Sequence, residues 1–136
     1  MSNAANILIV DDSLHELLVV RALLEKGGYQ VKVADSPSEA QGTISNMGSQ
    51  NFDFVLSDFL MPGMTGLELA EWIREKDPTL MCGIMSAFLD RAVLIERIKS
   101  RIGYLVEKPI AKMELYKIVE DGVAETRRIR GGLPKN

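Results

Sequence analysis

The sequence predicts an α/β domain: a doubly wound parallel sheet in which five strands alternate with five helices. Three observations carry this. Short β-rich apolar runs recur at Asn6–Val10, Gln30–Ala34, Asp53–Ser57, Leu80–Met85 and Tyr104–Val106. Their length suits strands, several of them buried on both faces. The stretches between them carry helix-start signals or helical spacing, and strands joined by helix-length crossovers pair in parallel with helices on both faces.

Each element has a local reason. Ile7-Leu8-Ile9-Val10 stops at Asp11-Asp12-Ser13, a strand running into a helix start. Leu14–Lys26 is the first helix, closed by the Gly27-Gly28 pair. It is apolar almost all round (Leu17, Leu18, Val19, Val20, Leu23, Leu24), so periodicity does not choose its buried face. Asp35-Ser36-Pro37 opens a second helix, Ser38–Met47, with proline in the first turn; Gly42 and Thr43 weaken it. The third strand, with Phe54-Val55-Leu56 at its heart, delivers Asp58, and Pro62-Gly63 must then turn the chain. Thr65 caps a third helix that sets Gly66, Leu69, Ala70 and Ile73 on one face, and Asp77-Pro78 ends it. Strand four stops at Ser86-Ala87. The fourth helix, Asp90–Arg101, turns Leu94, Ile95 and Ile98 inward, and strand five leads into Glu107-Lys108-Pro109. The last helix, Lys112–Arg128, buries Leu115, Ile118 and Val119.

Residues 1–5 are expected to lie outside the fold, because Ser2-Asn3-Ala4 looks like the remnant of an expression tag. Residues 129–136, basic and glycine-containing, read as a linker or frayed tail, with a slight leaning towards a domain cut from a longer protein. The 136 residues, 46% apolar and 26% charged, suit one domain with a sizeable core. A net charge of −3 offers no basic stripe for direct nucleic-acid binding. No apolar run reaches the roughly 20 residues of a membrane span. A single cysteine, Cys82, and a single histidine, His15, lie too far apart in sequence to suggest a zinc site or a Cys/His nucleophile pair. Cys82 reads as a reduced core residue, and a cytoplasmic setting fits.

A parallel sheet brings all its strand ends to one edge, where ligands bind in open α/β folds. There the chain assembles Asp11 and Asp12 from strand one, Asp58 from strand three, Ser86 from strand four and Lys108 from strand five. Asp35, from an outer strand, is expected to lie away. A like-charged pair about 4 Å apart costs about 4 kcal/mol at an effective dielectric of about 20. Lys108 offsets part of that repulsion, and a hard divalent cation such as Mg²⁺ is the natural remainder. The set then suits phosphoryl transfer: Asp58 as nucleophile, Asp11 and Asp12 as metal holders, and Lys108 and the Ser86 hydroxyl on the phosphoryl oxygens.

The chain resembles the receiver domain of bacterial two-component response regulators, the CheY-like group. The matching features are Ile9-Val10-Asp11-Asp12-Ser13, the run Asp58-Phe59-Leu60-Met61-Pro62-Gly63-Met64-Thr65-Gly66, Ser86-Ala87 and Lys108-Pro109, spread over residues 6–128. The resemblance implies a flavodoxin-like (βα)5 fold with strand order 2-1-3-4-5. It implies that Asp58 accepts a phosphoryl group from the phosphohistidine of a sensor kinase or phosphotransfer protein. Mg²⁺ would be held by Asp12, Asp58 and the Leu60 carbonyl, with Asp11 reaching it largely through water. Such a chain catalyses only its own phosphorylation and dephosphorylation. Phosphorylation would repack the face made by helix four, strand five and helix five, which would dimerise or meet an output domain.

Two departures from the family pattern stand out. The family places an aromatic residue three positions before the lysine; here Leu105 is there and Tyr104 lies one earlier, on the opposite face unless a bulge intervenes. Leu60 and Phe88, two after Asp58 and Ser86, are apolar where the family often has polar residues, which predicts slow self-dephosphorylation. His15 and Trp72 read as a surface residue and a helix-edge packing residue; Met61, Met64 and Met85 read as core and loop fillers. Three other functions compete. A phosphatase needs an acid where Leu60 stands, and a flavin carrier would meet repulsion between its phosphate and Asp11-Asp12. A degenerate receiver, serving as a phosphorylation-independent interaction module, has only the displaced Tyr104 in its favour.

Overall fold

The computed structural model describes residues 4–87 and 92–132. Five strands, β1 (Asn6–Val10), β2 (Gln30–Ala34), β3 (Phe54–Asp58), β4 (Cys82–Ser86) and β5 (Tyr104–Glu107), form one parallel sheet in the order β2-β1-β3-β4-β5. Helices α1 (Leu14–Lys26), α2 (Pro37–Met47), α3 (Gly66–Lys76), α4 (Ala92–Arg101) and α5 (Lys112–Gly132) make the crossovers and close the chain. The fold class and strand order are those expected.

Alternation along each strand divides the core in two. Leu8, Val10, Val55, Cys82 and Ile84 face the layer that contains Ala40, Ile44, Leu69, Ile73 and Ile98 from α2, α3 and α4. Ile7, Ile9, Phe54, Leu56, Met85 and Val106 face Leu17, Val20, Leu24, Leu115 and Val119 from α1 and α5. Tertiary packing settles the face of α1 that periodicity left open: Leu17, Val20 and Leu24 are buried, and Leu14, Leu18 and Val19 are exposed. In the second layer the Phe54 ring lies so close to Gly122 that a Cβ there would come within 2.1 Å of it. A side chain at that turn of α5 would lift the helix off the sheet.

Local signals account for the helix starts. Ser13, Ser36 and Thr65 each cap a helix, and Thr65 with Glu68 forms a full capping box. The expected weakness of α2 is not seen, because Ala40 and Ile44 bury its inner face while Gly42 points into open space. Met81 N–H donates to the Thr126 hydroxyl at 3.0 Å, tying the start of β4 to α5.

Both chain ends differ from expectation. Ala5, placed outside the fold by sequence, is buried, and its carbonyl accepts the Gln30 N–H at 2.9 Å, which extends the β1–β2 pairing backwards. At the other end the helix does not stop at Arg128 but runs to Gly132. Arg130 holds the extra turn: it donates to the Phe52 carbonyl at 2.8 Å and the Thr79 hydroxyl at 2.9 Å, and pairs with Asp77 at 3.2 Å. No helix among the described residues is long and apolar enough to cross a membrane.

Candidate functional site

The strand order reverses between β1 and β3, and the crevice beyond their carboxyl ends is where this architecture places ligands. Asp58 is the last residue of β3, in register with Met85 of β4. Its peptide is fixed by neighbours on three sides. Ser57 Oγ donates to the Asp58 carbonyl at 2.9 Å, Phe59 N–H donates to the Met85 carbonyl at 2.9 Å, and Gly66 N–H donates to the Phe59 carbonyl at 2.8 Å. Gly66 touches this peptide so closely that a Cβ would lie 2.3 Å from the Asp58 oxygen. Asp11 follows β1 directly and is 1% exposed, with Oδ1 accepting the Ser13 N–H at 3.0 Å. Asp12, beside it, is exposed.

Carboxylate oxygens of Asp11, Asp12 and Asp58 all lie within 4.8 Å of one another. Lys108, just past β5, reaches over them: its Nζ donates to Asp58 Oδ1 at 2.8 Å and to Asp11 Oδ2 at 3.4 Å, and also to Glu16 Oε1. Its backbone N–H donates to the Ser86 carbonyl at 2.9 Å, and Ser86 itself is buried. Asp58, Leu60, Ser86, Ala87, Lys108 and Glu16 line a cavity of about 200 Å³. Leu60 is half exposed at its rim.

The site holds more acid than base, and its ionisation shows it. Burial pushes the Asp11 carboxyl up to about 6, with the Asp58 charge adding to the shift and the Ser13 N–H and Lys108 opposing it. Burial likewise raises Asp58 above the ordinary carboxylate range, opposed by Lys108. Burial works against the Lys108 ammonium, but the Asp58 and Glu16 carboxylates hold its pKa above the ordinary lysine value. Hard oxygen donors with a surplus of negative charge are what a Mg²⁺ ion takes. Asp11, Asp12 and Asp58 would hold such an ion, which would neutralise the negative charge gathered there.

A sequence profile of the response regulator receiver domain matches residues 7–120. The chain belongs to the response regulator receiver family. Its relatives include the transcriptional regulatory protein ZraR of Salmonella typhimurium, 32% identical over 130 residues, which cover 95% of this chain and 29% of that protein. The chain thus spans under a third of that relative's length. Among solved structures, a receiver domain protein from Clostridium thermocellum superposes with a TM-score of 0.84 at 23% identity, covering 92% of this chain and 98% of its own. A CheY-like receiver from Methanospirillum hungatei gives 0.81 at 24% identity, covering 93% and 99%. These likenesses establish the fold.

In this receiver the five residues expected at the strand ends, Asp11, Asp12, Asp58, Ser86 and Lys108, lie at one edge of the sheet. Asp35 caps the outer strand, with its N–H on Glu39 rather than in the crevice. Tyr104 takes the face that strand alternation dictates. No bulge intervenes, and its ring meets Phe54 edge-on at 5.5 Å in the layer of α1 and α5, while Leu105 packs in the other layer. His15 is exposed, as expected. Trp72 packs partly against the core, with the Lys76 ammonium 5.4 Å from its ring centre. Cys82 is a buried free thiol, its pKa pushed up to about 12 by burial. Phe88, Leu94 and Ile95 fall outside the described residues or side chains.

Two residues of the site escaped the sequence reading. Gly66 lies on the buried helix face that the spacing predicts, and no local signal marks its contact with the Asp58 peptide. Glu16 carried one misleading local signal. Ser13-x-x-Glu16 is a capping-box pattern, and Ser13 Oγ does accept the Glu16 N–H at 3.3 Å. The reciprocal half is taken by Asp11, which accepts the Ser13 N–H, so the Glu16 side chain is released to meet Lys108.

Proposed function

We propose that this receiver is a phospho-acceptor switch: Asp58 takes a phosphoryl group, with Mg²⁺, from the phosphohistidine of a sensor kinase or a phosphotransfer protein. The observation that carries the reading is the Asp58 carboxylate at the switch-point crevice, grouped with two further acids and bound by Lys108. In the transfer an Asp58 oxygen forms a bond to phosphorus as the P–N bond of phosphohistidine breaks, its electron pair leaving on the imidazole. Asp58, Asp12 and the Leu60 carbonyl would hold Mg²⁺, with Asp11 acting largely through water. The metal supplies charge neutralisation on the phosphoryl oxygens. Lys108 binds one of those oxygens and the Ser86 hydroxyl another.

The chain then acts on itself alone, catalysing its own phosphorylation and dephosphorylation. The reading carries with it a cytoplasmic setting, where kinases draw on ATP. The altered charge would repack the face of α4, β5 and α5, which would dimerise or meet an output domain; the greater length of ZraR is compatible with such a domain. Tyr104 would not report this change, because it is packed against Phe54 on the far face. That one observation favours the second reading, a phosphorylation-independent interaction module.

Intact mass after incubation with acetyl phosphate separates the two. The expected result is a single phosphoryl adduct that needs both Mg²⁺ and Asp58 and is lost in Asp58→Ala. No adduct under any condition would overturn the switch in favour of the interaction module.

A further inference from the structure

Lys108 is saturated. An ammonium has three donors and accepts nothing, and here all three meet carboxylates: Asp58, Asp11 and Glu16. A phosphoryl oxygen can bind Lys108 only if one of them lets go. Asp11 is fixed, with its side chain 1% exposed and its other oxygen held by the Ser13 N–H. Glu16 is not: its side chain is 42% exposed at the first turn of α1. It also stands apart from the cation-holding group, which among the described residues is Asp11, Asp12 and Asp58.

We infer that Glu16 is a positioning residue that restrains phosphoryl transfer at Asp58 by occupying the third donor of Lys108, and that it is displaced when the phosphoryl group arrives. Two physical effects work in the same direction. The Glu16 carboxylate competes with the transferring group for Lys108, which also gives up its hold on Asp58 as an Asp58 oxygen attacks phosphorus. It also adds a negative charge at the cavity mouth that an anionic phosphodonor must pass. The brake is local to this lysine, so it needs the reach of a glutamate. Aspartate, one methylene shorter, keeps the charge and loses the contact.

The inference rests on the phospho-acceptor reading. Its test is the rate of adduct formation with acetyl phosphate and saturating Mg²⁺ for wild type, Glu16→Gln, Glu16→Asp and Glu75→Gln. Glu75→Gln removes a charge from an exposed position of α3 as a control. Thermal melting of each protein verifies that it is folded. Glu16→Gln should react roughly three- to tenfold faster, the span set by breaking one half-exposed charged hydrogen bond. Glu16→Asp, which keeps the charge and loses the contact, should fall between wild type and Glu16→Gln, and Glu75→Gln should match wild type. A Glu16→Gln rate within twofold of wild type overturns the inference. A Glu16→Asp rate equal to wild type beside a fast Glu16→Gln also overturns it, since charge without contact would then suffice. Either result leaves the phospho-acceptor reading intact, whereas a wild type that forms no adduct removes both.

Discussion

At the scale of single residues the site is a balance of one base against several acids, set by which side chains can move. Asp58 is held twice, through its peptide by Ser57, Met85 and Gly66 and through its carboxylate by Lys108. Leu60 is different: it is half exposed and hangs over the cavity that contains Asp58. An apolar side chain there offers no partner to an attacking water. Leu60→Asn is therefore expected to shorten the lifetime of the acyl phosphate by about tenfold, equivalent to about 1.4 kcal/mol in the barrier. Decay of the intact-mass adduct after removal of the donor measures this. An unchanged lifetime would show that Leu60 does not shield the phosphoryl group.

At the scale of elements the last turns of α5 are the instructive case. Arg130 and Thr126 fasten this helix to the start of β4, the end of α3 and the loop before β3. Asp77, the C-cap of α3, is the acid in this cluster. Burial raises its pKa, but hydrogen bonds from Thr79 and Ser49 and the charge of Arg130 outweigh that and leave it below the ordinary value. A carboxylate whose folded pKa is depressed contributes stability above its unfolded pKa and loses it as pH falls through the folded value. Asp77→Asn should therefore cost about 1–3 kcal/mol at neutral pH. The cost should shrink once pH drops below the usual carboxylate range. Urea denaturation of the two proteins at neutral and acid pH gives the comparison, and a pH-independent difference would contradict the ionic role.

At the scale of the whole molecule, folding brings Asp58 up against Asp11 and Asp12, which are neighbours in the chain, and this penalises the metal-free state. Mg²⁺ that binds only the folded form at about a hundred times its dissociation constant stabilises it by about 2.7 kcal/mol. For a chain of this size that is a rise in Tm of roughly 10 °C. Asp12→Asn should cross over: it should melt above wild type without Mg²⁺, where it relieves repulsion, and gain little when Mg²⁺ is added. Calorimetry with and without the metal tests both halves. An Asp12→Asn protein as responsive to Mg²⁺ as wild type would remove Asp12 from the ligands.

Much of this was legible in the sequence, for a physical reason. Strand ends, caps and turns are written in neighbouring residues, and a parallel sheet delivers every strand's carboxyl end to one edge. The sequence alone therefore brings Asp11, Asp12, Asp58, Ser86 and Lys108 to one edge. The side on which Tyr104 lies followed from alternation in the same way. What only the tertiary structure decided depends on partners far along the chain. The buried face of α1 is chosen by the sheet and α5, because its own sequence is apolar almost all round. The last turn of α5 exists because Arg130 finds Phe52, Asp77 and Thr79, where the local sequence of glycines and arginines suggested an end. Glu16 reads locally as half of a helix cap, and only the arrival of Lys108, 92 residues away, turns it into part of the site.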